Sequence, residues 1–115
     1  MKRLAEVAIF TDNVAEHAAF YAHVLGGAPS YQADDIAVFN LPGGITLLIH
    51  KKYPPVEGQP PNQDHIAFAA DVDAASAELM RQGVQLLLEP KQYDWGKSAY
   101  LRDPDGRIVE LSGEG

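Results

Sequence analysis

From Leu4 to Phe10 small or polar residues alternate with branched apolar ones, the period of a strand with one buried face. Glu6, Ala8 and Phe10 share one face and Val7 and Ile9 the other. Asp12 or Asn13 then offers a helix N-cap, and Val14, Ala18, Tyr21 and Leu25 recur at helical spacing until Gly26-Gly27 stops the helix. Short strands are predicted around Ser30 to Gln32, Ile36 to Leu41 and, past the Pro42-Gly43-Gly44 turn, Ile45 to His50. The first unit is therefore β-α-β-β-β, with its helix over the Val7/Ile9 face.

The order then repeats. Glu6-Val7-Ala8-Ile9-Phe10-Thr11-Asp12 reappears as His65-Ile66-Ala67-Phe68-Ala69-Ala70-Asp71. Leu41-Pro42-Gly43-Gly44-Ile45-Thr46-Leu47-Leu48 lies over Asp103-Pro104-Asp105-Gly106-Arg107-Ile108-Val109-Glu110. The second unit has a strand from His65 to Ala70, a helix from about Ala74 to Gln82, and strands around Val84 to Leu88, Ser98 to Arg102 and Ile108 to Ser112. Between the units, Pro54, Pro55, Pro60 and Pro61 mark residues 51–63 as a stiff, exposed linker. The chain reads as a single α+β domain: module 1 over about 1–50, the linker, and module 2 over about 64–115. Two βαβββ modules in tandem would form curved mixed sheets with the helices outside, facing each other across a cleft.

Duplication pairs Glu6 with His65, and Leu48 with Glu110, across a pseudo-twofold axis, and three of these four can ligate a metal. Two carboxylates and an imidazole directed into one cleft are costly to bury unless a cation neutralises them. Oxygen and nitrogen ligands suit Mn²⁺, Mg²⁺, Zn²⁺, Ni²⁺ or Fe²⁺ without choosing among them. By strand parity Phe10, His50, Ser98, Tyr100 and Arg102 face the same cleft. Tyr93 and Trp95, expected in the loop before the seventh strand, could pack the turn or stack on a planar ligand at the cleft mouth.

Composition narrows the partners. A net charge of -7 on 115 residues argues against nucleic acid and anionic membrane surfaces. The absence of cysteine removes a disulfide framework, thiolate zinc ligation and a thiol nucleophile, and fits a reducing interior. Met1-Lys2-Arg3 runs straight into a strand rather than into a signal-peptide apolar segment, and no stretch is apolar enough to span a bilayer, so a cytoplasmic location is expected.

Strand Glu6 to Phe10, the Phe20-Tyr21 to Leu25-Gly26 helix, Asp64-His65-Ile66-Ala67-Phe68, and Trp95-Gly96 followed by Tyr100 to Leu111 with its Asp103-Pro104-Asp105-Gly106 turn together resemble the vicinal-oxygen-chelate superfamily. That group holds glyoxalase I, fosfomycin-resistance proteins, extradiol dioxygenases, methylmalonyl-CoA epimerase and bleomycin-resistance proteins. The resemblance implies metal ligands at Glu6, His65 and Glu110, with Glu6 standing where histidine is commoner and Leu48 where glyoxalase I and the epimerases place a fourth ligand. It implies a homodimer and bidentate chelation of substrate by the metal, acting as a Lewis acid. Tyr100 and His50 are the candidate catalytic groups; Ser98, Arg102, Trp95 and Phe10 are the candidate substrate contacts. The expected function is a divalent-metal-dependent enzyme, a lyase or isomerase, transferase or dioxygenase, acting on a small oxygenated metabolite or antibiotic. The alternative is a metal-free protein of the bleomycin-resistance type that sequesters a drug or metabolite, supported by Leu48 and the aromatic set Phe10, Phe39, Tyr93, Trp95 and Tyr100.

Overall fold

A computed structural model describes residues 1–113. The elements run β1 (Arg3–Thr11), α1 (Val14–Leu25), β2 (Tyr31–Gln32), β3 (Ile36–Leu41), β4 (Ile45–Lys51), β5 (His65–Ala70), α2 (Val72–Arg81), β6 (Leu86–Tyr93), β7 (Gly96–Arg102) and β8 (Ile108–Gly113). They build one open, mixed sheet in the order β2-β3-β4-β1-β5-β8-β7-β6. The tandem α+β modules are present, and their strand sets form one continuous sheet with the helices outside. Antiparallel pairing of β1 with β5 joins them edge to edge, so two strands that would otherwise expose unpaired backbone satisfy each other.

The register carries the repeat. Glu6 pairs with Ala67 and Ala8 with His65 across the seam, and the duplication exchanges these two pairs. Parallel pairing sets Glu6 against Thr46 and Ala8 against Leu48 in the first module. In the second it sets His65 against Ile108 and Ala67 against Glu110, so Glu110 is the structural counterpart of Leu48.

Each helix covers the outer strands of its own module. Val14 and Ala18 of α1 pack on Ala37, Phe39, Leu47 and Ile49, with Val7, Ile9 and Tyr21 at the edge. Val72 and Ala75 of α2 pack on Ala99 and Leu111. Phe39 therefore belongs to the core under α1 and not to the opposite face, since it pairs with Leu47 on the helix side. A left-handed Gly26, φ 77°, closes α1, its N–H bonded to Ala22. Asp71 caps α2 by accepting from the Ala74 N–H at 3.2 Å, which starts that helix two residues ahead of the periodicity. Among the described residues no helix is long and apolar enough to cross a membrane.

Two segments depart from the sequence expectation. Strand β6 continues through Glu89-Pro90 to Tyr93, because an edge position tolerates a proline and register shifts near Leu88 absorb the irregularity. The proline-rich linker is not wholly exposed. Tyr53 and residues 60–62 are half-buried: the Tyr53 hydroxyl donates to the Pro60 carbonyl at 2.9 Å and Asn62 Nδ2 to the Tyr53 carbonyl at 2.7 Å.

Candidate metal centre

Strand alternation puts Glu6, Ala67 and Glu110 in one row across β1, β5 and β8 on the face opposite the helices. His65 lies one pleat away, opposite Ala8. The two alanines, both fully buried, alternate with the ligand-type residues and keep the space above the seam free of bulk. Glu6, His65 and Glu110 each offer one ligand atom, and those atoms all lie within 4.8 Å of one another.

Neighbouring groups fix how His65 and Glu110 present themselves. His65 Nδ1 sits 2.9 Å from the Gln63 carbonyl, which can only accept, so Nδ1 carries the proton and Nε2 faces Glu110 Oε1 at 3.0 Å. Ser98 donates to Glu110 Oε2 at 2.6 Å, and Trp95 Nε1 donates to Ser98 Oγ at 3.1 Å. Tyr100 lies beside Glu110, whose carboxylate adds to burial in raising its phenol. Glu110 is 4% exposed and Ser98 fully buried, so this relay holds one carboxylate in a fixed orientation away from water.

The charges do not balance among themselves. Burial, and then the Glu110 carboxylate, push the Glu6 carboxyl up to about 7, with His65 pulling the other way. For His65, burial opposes protonation, but the hydrogen bonds to Glu110 and Gln63 and both carboxylate charges hold the imidazole above its ordinary value. Burial foremost, then Glu110, also raises Tyr100. A site that resists two negative charges unless a proton or cation arrives fits a divalent ion, and two oxygens with one nitrogen at this spacing are a suitable donor set.

The other sequence candidates fall into three groups. Phe10 forms a wall, its ring centroid 5.9 Å from His65, 5.7 Å from His50 and 5.9 Å from Tyr53. His50 belongs to that wall, with Nδ1 2.6 Å from the Lys51 carbonyl. Tyr100 stands edge-on to His65 at 6.0 Å, whereas Ser98 contacts the Glu110 carboxylate, and Trp95, 57% exposed, contacts Ser98. Arg102 is set apart, exposed at the end of β7 and donating to the Gly106 carbonyl at 2.8 Å. Tyr53 was not foreseen at this face; its one signal is an aromatic residue in an otherwise polar, proline-rich run. Tyr93 is buried rather than at an open loop, because β6 reaches it and a two-residue turn, Asp94-Trp95, follows.

The sequence model of the Glyoxalase/Bleomycin resistance protein/Dioxygenase superfamily matches residues 3–111. A metallothiol transferase, FosB, from Shouchella clausii is 32% identical over 106 residues, which cover 86% of this chain and 71% of that protein. Among solved structures, a superfamily member from Vibrio splendidus superposes with TM-score 0.67 at 16% identity, covering 99% of this chain and 100% of that one. A variant of Streptomyces coelicolor methylmalonyl-CoA epimerase bound to 2-nitronate-propionyl-CoA gives TM-score 0.70 at 20% identity, covering 100% and 96%. At these identities the two structures speak for the fold.

Proposed function

From the premise that this chain belongs to the glyoxalase/bleomycin resistance protein/dioxygenase superfamily, we propose that it is a divalent-metal-dependent enzyme for a small oxygenated molecule. The observation that carries this is the convergence of Glu6, His65 and Glu110 within 4.8 Å. A divalent ion held there would supply Lewis-acid polarisation of substrate oxygens. The chain's own residues do the rest. Gln63 and Ser98 orient two of the ligands, Phe10 and Tyr53 shield one side from water, and Tyr100 keeps its proton and steadies Glu110. His50, with Nδ1–H on a carbonyl, has Nε2 free to move a proton. The metallothiol transferase relative favours group transfer over isomerisation, and Leu48 in the fourth-ligand position supports the same preference.

A second reading, metal-free sequestration, is supported by the direct His65–Glu110 bond and by the aromatic walls on either side. Titrating catechol, a two-oxygen chelator, against Trp95 fluorescence separates the readings. Quenching confined to Mn²⁺-loaded protein is the outcome expected of the enzyme; equal quenching after chelator treatment would favour sequestration. The reading includes a homodimer, supported by exposed Phe20, Val24, Leu25 and Tyr31, which light scattering would detect.

A further inference from the structure

Tyr93 is 9% exposed, and among the described residues its hydroxyl is buried without a hydrogen-bond partner. Its ring is packed by an aromatic and a cationic neighbour. Trp95 stacks on it at 4.6 Å with the planes 2° apart, and Lys91 Nζ lies 5.3 Å from the ring centroid. Tyr100 stands edge-on at 6.3 Å. The ring is thus held by its neighbours in a cluster with Tyr100 and Ile108, and the buried hydroxyl is the part of the side chain they leave unpaired. That hydroxyl lies in the electrostatic field of Glu110, and Tyr53 and Tyr100 each lie close enough to be influenced by Tyr93. Tyr53 bonds the Pro60 carbonyl and Tyr100 lies beside the Glu110 carboxylate, and among the described residues Tyr93 is the one of the three whose hydroxyl is buried without a partner. Leaving a buried hydroxyl unpaired costs stability, and a phenylalanine would fill the same stack without that cost.

We propose that Tyr93 is a substrate-positioning residue whose hydroxyl donates a hydrogen bond to an oxygen of the bound molecule separate from the pair presented to the metal. The inference rests on the metal reading of Glu6, His65 and Glu110. It narrows the substrate class to molecules with two adjacent oxygens for the ion and a third oxygen, able to accept, on the Tyr93 side. Molecules with only the chelating pair would bind without selecting for Tyr93.

The test compares wild type with Tyr93→Phe by calorimetry, first for Mn²⁺ and then, on Mn²⁺-loaded protein without oxygen, for catechol, pyrogallol and 3,4-dihydroxybenzoate. These probes share a chelating pair, and the last two add an accepting group at different distances, a hydroxyl in pyrogallol and a carboxylate in 3,4-dihydroxybenzoate. Expected are equal Mn²⁺ affinity, equal catechol affinity, and binding of pyrogallol or 3,4-dihydroxybenzoate weakened about 10-fold in Tyr93→Phe, the size of one hydrogen bond. The variant should melt no lower than wild type. Normal Mn²⁺ uptake with no difference between the proteins on any probe would overturn the inference alone. A clearly lowered melting temperature would overturn it too, since the hydroxyl would then serve the fold. Failure of the wild type to take up Mn²⁺ would remove the metal reading and this inference together.

Discussion

Glu6 links the site to the stability of the metal-free chain. Its carboxyl is raised from 4.5 to about 7 in the fold, so its contribution is fully present below about 4.5 and is lost as pH rises through about 7. His65 is also raised and acts in the same sense: its contribution is present below its ordinary value and fades as pH climbs past the folded one. Metal-free protein should therefore lose stability between about pH 5 and pH 8, by at most about 3 kcal/mol from Glu6. Glu6→Gln should flatten the slope. Urea unfolding in the presence of a chelator checks this, and parallel slopes for the two proteins would contradict it. Ser98 acts at the same scale. Ser98→Ala leaves a buried carboxylate oxygen without its donor, which should cost about 1–3 kcal/mol and weaken Mn²⁺ binding about 10- to 100-fold in a calorimetric titration. At this scale the convergence of Glu6, His65 and Glu110 was legible, because strand parity and the repeat both point them to one face. The relay from Trp95 through Ser98 was not, since it depends on a turn that strand periodicity does not describe.

The β6–β7 hairpin decides where Tyr93, Trp95 and Ser98 stand relative to Glu110. Gly96 follows the turn with φ 131°, a conformation open to glycine and strained for other residues, and a Cβ there would meet no atom within 4 Å. Gly96→Ala should therefore cost about 1–3 kcal/mol through the backbone alone. Thermal melting reads that loss, and the Trp95 emission should shift as the Tyr93 stack loosens; an unchanged melt and spectrum would show that the hairpin does not depend on this glycine. The edges of β6 and the course of the linker were the least legible elements. Glu89-Pro90 resembles a break unless the strand is known to lie at a sheet edge, and Tyr53 is tied down by Phe10 and His50, which are distant in sequence or separated from it by two lysines.

For the molecule as a whole, the antiparallel seam brings one candidate ligand from β1 together with two from the second module inside a single chain. The duplication was readable because both repeated segments carry turn and strand signals, and it anticipated the matching of Glu110 to Leu48. The joining of the two modules into one sheet through β1 and β5 was not readable, since strand pairing depends on backbone geometry that β1 and β5 share with any other pair of exposed strands. The site should consequently be complete in one polypeptide, whatever its oligomeric state.

The most direct measurement is elemental analysis by plasma mass spectrometry of dialysed, untagged protein after reconstitution, with His65→Ala and Glu110→Ala beside it. About one divalent ion per chain in the wild type, lost in both variants, is the predicted result for a three-ligand site. A folded wild type that retains no Mn²⁺, Zn²⁺, Ni²⁺, Mg²⁺ or Fe²⁺, or variants that retain as much as the wild type, would contradict it.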